Sequence, residues 1–229
     1  MGAILWDFDG TLARRDGMWA GCLVEVLDEQ EPGHGLQRED FRPALRNGFP
    51  WHRPDVPHPE LDTADAWWAP IEVLLANAYT GAGYDGERAR AFARLARARY
   101  PDPAHSWHLF DDTLPVLEEL RAAGFRHVVL SNHVPELDAL VAALGLGGLV
   151  DAVVNSALTG YEKPHPEAFA AGRRAAGNPE ALWMVGDNPV ADVEGAEAAG
   201  IPAILVRSAG GVSLADAAAR ISRNAPAAR

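Results

Sequence analysis

Apolar and polar residues follow two different patterns along the chain. Residues 3–8 form a short, nearly continuous apolar run, which is typical of a strand buried on both faces of a sheet. From about residue 14 to residue 106, apolar positions recur at the spacing of amphipathic helices. Helices are expected at 19–30, 40–46, 63–79 and 87–99. This stretch predicts an all-helical insert, interrupted by a proline-rich loop at 49–59.

After residue 110, short apolar runs typical of strands alternate with helical segments. Strands are expected at 127–131, 150–155, 182–186 and 203–206, and helices at 114–123, 135–144, 166–176 and 191–199. This alternation indicates parallel strand–helix–strand units with right-handed crossovers. We therefore expect an α/β fold with a Rossmann-like, doubly wound parallel sheet. The core domain would comprise residues 1–13 and 107–229, and the inserted helical domain residues 14–106.

Composition restricts the classes of function. The net charge of −12 leaves no basic patch that could neutralise a nucleic-acid backbone. The single cysteine, Cys22, excludes an internal disulfide and favours a reducing compartment. The residues before Asp7 are too few for a signal peptide, and no apolar run reaches membrane-spanning length. We therefore expect a cytoplasmic protein without a nucleic-acid or membrane partner; the sequence does not indicate its oligomeric state.

Polar residues stand at four predicted strand ends or in the loops that follow them. They are Asp7 and Asp9, Ser131 and Asn132, Lys163, and Asp187 with Asp192. Ligands bind beyond the carboxyl ends of the strands in an open parallel sheet, so these side chains should share one edge. Lys163 is the only lysine among 20 basic residues, which indicates a need for an ammonium group at that position.

Each of these residues also has an ordinary structural interpretation. An isolated Asp9-Gly10 pair is more often a turn than a site, and Asp7 can cap a turn or helix. Ser131 and Asp192 are placed where helices begin and can act as caps or first-turn acids. Thr11 can likewise be a simple cap. The combination at one sheet edge, more than any single residue, favours a catalytic site.

Together the segments resemble the haloacid dehalogenase superfamily, a family of aspartate-nucleophile phosphatases. The four matching segments are Asp7-Phe8-Asp9-Gly10-Thr11-Leu12, Leu130-Ser131-Asn132, Lys163-Pro164 and Gly186-Asp187-Asn188-Pro189-Val190-Ala191-Asp192. Each is weak alone, but four in this order, spread over the whole chain, are specific. The helical insert is similar to the cap domain of the family's first cap class, and the core strands are expected in the order 3-2-1-4-5.

The resemblance implies a magnesium-dependent hydrolase of a small phosphorylated metabolite. Asp7 would attack phosphorus, and Asp9 would protonate the leaving oxygen and later activate water. Mg²⁺ suits this chemistry because a carboxylate and a phosphate repel each other unless a hard cation lies between them. The implied metal ligands are Asp7, Asp9 and Asp187, with Asp192 in support. The implied phosphate-binding residues are Thr11, Ser131, Asn132 and Lys163.

Four alternatives remain in view. A haloacid dehalogenase would use the nucleophile and lysine but lacks the second carboxylate, which Asp9 supplies here. A phosphonate-cleaving relative would need a lysine in the insert, which has none. A phosphosugar mutase shares the same core and differs only in its product. An idle binding module would not be expected to keep every motif residue.

Residues outside the four matching segments have other expected roles. Trp51, His52 and Arg53, in the proline-rich loop, are candidates for substrate specificity, although loops often carry such residues without a role. His133, beside Asn132, faces the same edge of the sheet but is expected to be a surface residue and not a ligand, and His127 is expected to be structural. Trp67 and Trp68 are expected to pack within the helical insert.

Overall fold

The computed structural model describes residues 2–224. Its strands are β1 (Ala3–Trp6), β2 (Ala13–Arg15), β3 (Trp107–Leu109), β4 (Arg126–Ser131), β5 (Ala152–Asn155), β6 (Leu182–Gly186) and β7 (Ala203–Leu205). Five of them form a parallel sheet in the order β5-β4-β1-β6-β7. Numbered along the chain, these five strands have the order 3-2-1-4-5, so the predicted α/β architecture is confirmed.

Ten α-helices are found among the described residues. They are α1 (Met18–Gln30), α2 (Arg38–Phe41), α3 (Ala64–Gly81), α4 (Gly86–Arg99), α5 (Thr113–Ala122), α6 (Leu137–Ala143), α7 (Ser156–Thr159), α8 (Pro166–Ala175), α9 (Gly195–Ala198) and α10 (Leu214–Arg223). Among residues 2–224, no helix combines the length and apolarity that crossing a membrane requires. Two irregular turns complete the set, a 3₁₀ turn at Pro50–His52 and a π-helix at Pro189–Glu194.

Side chains of β1 alternate between two apolar layers, as the pleat of a strand buried on both faces requires. Leu5 packs on one face with Val128 of β4 and Met184 of β6. Ile4 and Trp6 pack on the other face, in a separate apolar cluster. The central strand is therefore fixed from both sides, and its carboxyl end is held in place by the core itself.

The second apolar cluster continues from the sheet into a helical segment, which we define as residues 16–106. Phe8, beyond the end of β1, belongs to the same cluster as Trp67 and Trp68 of α3. Both tryptophans are fully buried, and the indole nitrogen of Trp68 donates to the carboxylate of Glu136 at 3.1 Å. The helical segment is thus attached to the core by apolar packing and by a polar contact.

The chain enters and leaves the helical segment through a pair of antiparallel strands, β2 and β3, which the sequence pattern did not predict. Arg15 of β2 is buried and donates to Glu25 of α1 at 2.5 Å. Ser106, just before β3, donates to the same carboxylate at 2.8 Å. Strands of three residues give no readable alternation, which explains why they were missed.

Two predicted helices differ from the structure. The helix expected at 40–46 is the short α2, which ends before Pro43, since proline has no N–H for a helical hydrogen bond. The helix expected at 191–199 begins as the π-helix and becomes α-helical only at Gly195. His127 is structural as expected, because its Nδ1 accepts from the Trp6 indole at 3.0 Å.

The last described helix, α10, lies beyond the elements predicted from the sequence. Its buried positions are Leu214, Ala217, Ala218 and Ile221, the spacing of one helix face. Ser213 begins it, accepting a hydrogen bond from the Asp216 amide at 3.0 Å. Alanine at two of the four buried positions weakens the apolar signal without removing the packing.

We expect Ile221→Ala to lower the free energy of unfolding by roughly 2–5 kcal/mol, because the side chain is fully buried and its removal leaves a cavity. The neighbouring Ser222→Ala, at an exposed position, is the matched control and should change it by no more than about 0.5 kcal/mol. Urea unfolding followed by circular dichroism measures both. Equal stability of the two variants would show that α10 is not part of the cooperative core.

Candidate active site

The carboxyl ends of β1, β4 and β6 and the loop after α7 meet at one edge of the sheet. A cavity of about 360 Å³ lies there, lined by both motif residues and residues of the helical segment. Its floor includes Asp7, Ser131 and Lys163. Residues distant in sequence converge because parallel strands present their carboxyl ends at the same edge.

Lys163 is buried between two carboxylates. Its Nζ donates to Asp7 Oδ1 at 2.7 Å and to Asp192 Oδ1 at 2.6 Å. Burial alone would lower the pKa of Lys163, but the charges of Asp192 and Asp7 outweigh burial and raise it. The Lys163 side chain therefore remains protonated, and its one positive charge compensates the negative charges of two carboxylates.

Both carboxylate oxygens of Asp7 are engaged. Ser131 Oγ donates to Oδ1 at 3.1 Å, and Thr11 Oγ1 donates to Oδ2 at 3.1 Å. With the Lys163 contact, Asp7 accepts three side-chain hydrogen bonds while only 6% exposed. Such contacts fix the orientation of the carboxylate toward the cavity edge.

Asn132 holds the main chain of the lysine loop. Its Nδ2 donates to the Lys163 carbonyl at 2.9 Å, and its Oδ1 accepts from the Lys163 amide at 2.7 Å. The side chain thus connects the end of β4 to the residue that carries the ammonium. In this structure its amide positions Lys163, alongside the phosphate-binding role expected from the sequence.

Asp9 and Asp187 add negative charge to the same edge. Burial raises the pKa of Asp187 to about 7, with the charges of Asp7 and Asp192 adding to the effect. Burial also raises the pKa of Asp9 well above its usual value, and Asp7 and Asp187 contribute. Four carboxylates thus face a single ammonium, an arrangement that favours a bound cation.

Oxygen atoms of Asp7, Asp187 and Asp192 lie within 4.8 Å of one another. Carboxylate oxygens at such spacing are the donor set that a hard divalent cation prefers. Gly10 makes the arrangement possible. Its φ of 87° lies in the left-handed region, and a Cβ there would lie 2.4 Å from Asp187 Oδ2. The carboxylates present fit Mg²⁺, which Asp7 and Asp187 could hold.

Asp192 is presented by the π-helix at Pro189–Glu194. Asn188 begins this turn and accepts from the Val190 and Ala191 amides at 3.0 Å. In return, Asp192 Oδ2 accepts from the Asn188 amide at 3.0 Å, leaving Oδ1 for Lys163. π-helical turns are often found at functional sites, and this one directs an acid back at the end of β6.

Aromatic residues of the helical segment also line the cavity. Trp19 and Tyr100 stack in parallel with ring centroids 3.7 Å apart, and Trp51 also lines the space. Of the three loop residues considered for specificity, the structure places Trp51 at the cavity and leaves His52 and Arg53 exposed outside its lining. Trp19 and Tyr100 were not identified from the sequence, because helical packing alone accounts for their spacing.

His133 was expected at the surface, and this expectation is wrong. It is 2% exposed and lines the cavity. Its ring meets Phe8 edge-on, with centroids 5.5 Å apart, and lies 5.4 Å from Trp107. The one sequence feature that could have placed His133 at the cavity is its position directly after Asn132, because residues that follow the end of β4 lie at the same edge of the sheet.

Comparison with known proteins identifies the family. The model of the haloacid dehalogenase-like hydrolases matches residues 1–200. The chain is a haloacid dehalogenase-like hydrolase. The resemblance found in the motifs is thereby confirmed, and with it the assignment to the hydrolases of phosphatase type.

Three related proteins illustrate the similarity. Haloacid dehalogenase-like hydrolase domain-containing protein 3 of Homo sapiens is 29% identical, over 89% of this chain and 80% of that protein. Phosphoglycolate phosphatase of Caulobacter vibrioides is 34% identical, over 89% of this chain and 78% of that protein. Phosphoserine phosphatase of Thermus thermophilus is 37% identical, over 65% of this chain and 59% of that protein.

Solved structures share the fold. A HAD phosphatase from Thermococcus onnurineus superposes with a TM-score of 0.62 at 22% identity, covering 96% of this chain and 98% of that one. A 2-haloacid dehalogenase from Pseudomonas syringae superposes with a TM-score of 0.67 at 24% identity, covering 98% and 100%. At these identities the likeness supports the fold, and it does not separate phosphatases from dehalogenases.

We expect Lys163→Arg to reduce turnover of an aryl phosphate on the order of 100-fold, although it conserves the charge. The reason is geometric, because a planar guanidinium cannot occupy the position between Asp7 and Asp192 that the ammonium fills. Arg90→Lys, the reverse exchange at an exposed position, should leave turnover unchanged. Near wild-type activity of Lys163→Arg would show that any cation serves at this site.

Proposed function

We propose that this hydrolase cleaves a small phosphomonoester through a covalent phosphoryl intermediate on Asp7, with Mg²⁺ as cofactor. The observation that carries the proposal is the environment of Asp7. It lies at the end of the central strand, held by Lys163, Ser131 and Thr11, with Asp9 two residues on. These contacts leave a carboxylate oriented and charge-compensated for attack on an anionic ester.

In the first step an oxygen of Asp7 attacks phosphorus and forms the aspartyl-phosphate bond. The bond from phosphorus to the ester oxygen breaks, and Asp9 gives its proton to the leaving alcohol. In the second step Asp9 takes a proton from water as the water oxygen attacks the same phosphorus. The bond to Asp7 then breaks and inorganic phosphate leaves, so the enzyme returns to its starting state.

Lys163, Ser131 and Thr11 support both steps by contacting the reacting oxygens. A bound Mg²⁺ would supply positive charge between the nucleophile and the phosphoryl oxygens. Carboxylate oxygens of Asp7 and Asp187 lie near one another and would hold it, Asp9 is the third ligand that the family resemblance implies, and Asp192 would support Lys163. Asn132 keeps the lysine loop in register with β4.

We propose that residues 14–106 act as a cap domain that closes the site. The support is that helical-segment residues, including Trp19 and Tyr100, complete the cavity wall. Enclosing the phosphoryl group keeps bulk water from the reaction. A dehalogenase or a phosphosugar mutase could be built on the same core. The carboxylate of Asp9 favours the phosphatase over the dehalogenase.

We expect Asp7→Asn to abolish phosphate release, by more than about 10³-fold, because an amide oxygen does not form the intermediate. Beryllium fluoride, which mimics phosphate on an aspartate, should bind the wild type and not the variant. Asp111→Asn, at an exposed position near β3, is the control and should keep full activity. Even one tenth of wild-type activity in folded Asp7→Asn would refute the assignment of the nucleophile.

Chelation should remove activity reversibly, and added Mg²⁺ should restore it, because the clustered carboxylates need a cation beside phosphate. Asp187→Asn should raise the Mg²⁺ concentration for half-maximal activity at least about tenfold. Asp111→Asn again provides the control. Full activity in excess chelator, together with halide release from a 2-haloacid, would support the dehalogenase alternative.

A further inference from the structure

The cavity has two chemically distinct sides. The core side carries Asp7, Asp9 and Asp187, which would hold the phosphoryl group and its cation. The aromatic side is formed by rings of the helical segment, and the ring of the core residue His133 adjoins it, 6.2 Å from that of Tyr100 between centroids. Asp9 protonates the leaving oxygen in the proposed reaction. Burial raises the pKa of Tyr100, and the negative charge of nearby Asp9 adds to the effect. The aromatic side is therefore the leaving-group side.

The aromatic rings form fixed planes. Phe49 and Trp51 stack with centroids 4.6 Å apart and planes within 7°, beside the stacked pair Trp19 and Tyr100. Tyr100 is further fixed by the Arg15 guanidinium, which lies 5.3 Å from its ring centroid. Side chains stacked in this way lose little freedom when a flat group binds against them.

Among the described residues that line the cavity, Lys163 is the only cation, and its ammonium already bonds Asp7 and Asp192. Arg15 does not line the cavity and is paired with Glu25. A leaving group that carries a carboxylate would therefore find no unpaired cation on the aromatic side of the cavity. That is unfavourable for substrates such as phosphoglycolate or phosphoserine, which related enzymes hydrolyse.

His133 supplies the polar group on this side. Neither ring nitrogen has a hydrogen-bond partner within the part of the chain that the structure describes, although both are buried. Buried polar atoms without partners are costly and uncommon in folded proteins. Burial lowers the pKa of His133 to about 4, so the neutral ring offers one donor and one acceptor. A bound ligand that formed a hydrogen bond with either ring nitrogen would remove this free-energy penalty.

We propose that the leaving group is a flat, uncharged aromatic or heteroaromatic alcohol, packed against Trp51 and the Trp19–Tyr100 pair and hydrogen-bonded by His133. The inference rests on the proposed phosphatase function and specifies its substrate class. It makes His133 a specificity-determining residue that contacts the substrate. The cavity volume of about 360 Å³ is within the range of small-molecule sites.

The test compares phosphate release from primary alkyl phosphates of similar intrinsic reactivity, namely benzyl phosphate, 3-hydroxybenzyl phosphate and phosphoglycolate. We expect kcat/KM for both benzyl esters to exceed that for phosphoglycolate at least about tenfold, with 3-hydroxybenzyl phosphate the best of the three. Comparable or better turnover of phosphoglycolate would overturn the inference while leaving the phosphatase proposal intact. No phosphate release from any ester would overturn both.

Two variants test separately the hydrogen bond from His133 and the packing against Trp51. His133→Phe keeps the ring shape and should abolish the preference for 3-hydroxybenzyl over benzyl phosphate, a loss of about three- to tenfold. His108→Phe, at an exposed position on β3, should keep the preference. Trp51→Leu should raise KM for benzyl phosphate several-fold and leave phosphoglycolate unaffected. Thermal unfolding of each variant checks the fold. An unchanged preference in folded His133→Phe would exclude His133 from the leaving-group contact.

Discussion

The ion pair between Lys163 and Asp7 is the contact on which the site depends. It joins the end of the central strand to a loop on the far side of β4 and is almost fully buried, with the two groups 2.7 Å apart. A buried charge pair contributes little net stability, but loss of one partner leaves an uncompensated charge. Since Asp192 shares the same ammonium, one lysine compensates two acids. The pair is therefore better explained by the chemistry that it permits than by the stability that it adds.

Local backbone structure follows from the same concentration of charge. Gly10 and Gly186 lie where a Cβ would meet Asp187 and Asp192 within 2.4 Å, so glycine is needed for the carboxylates to approach the strand ends. The π-helix after β6 turns Asp192 back toward Lys163. These are departures from regular structure, and each brings an acid to the edge of the sheet. They occur where function, more than packing, selects the conformation.

Much of this arrangement could be predicted from the sequence, because strand ends in a parallel sheet must share an edge and the motif residues mark those ends. The closeness of Asp7 to Lys163 follows from that constraint, whereas the strand order was expected from the family resemblance. The aromatic residues that line the cavity cannot be derived from that constraint. Trp19 and Tyr100 lie on α1 and just after α4, and only the packing of those helices brings their rings together. His133 was misplaced because an isolated histidine gives no sign of its burial.

The predictable and the unpredicted residues come from different parts of the fold. The residues proposed to act on phosphorus come from the strand ends, whose geometry is set by the hydrogen-bonded sheet and tolerates little change. The wall that meets the rest of the substrate comes from helices joined to the core by β2 and β3, by Trp68 with Glu136, and by His58 with Glu162. Helix surfaces can exchange side chains without disturbing the sheet. Related chains can therefore share one phosphoryl chemistry and differ in leaving group, and in this chain the helical wall is aromatic and carries no unpaired cation among the residues described at the cavity.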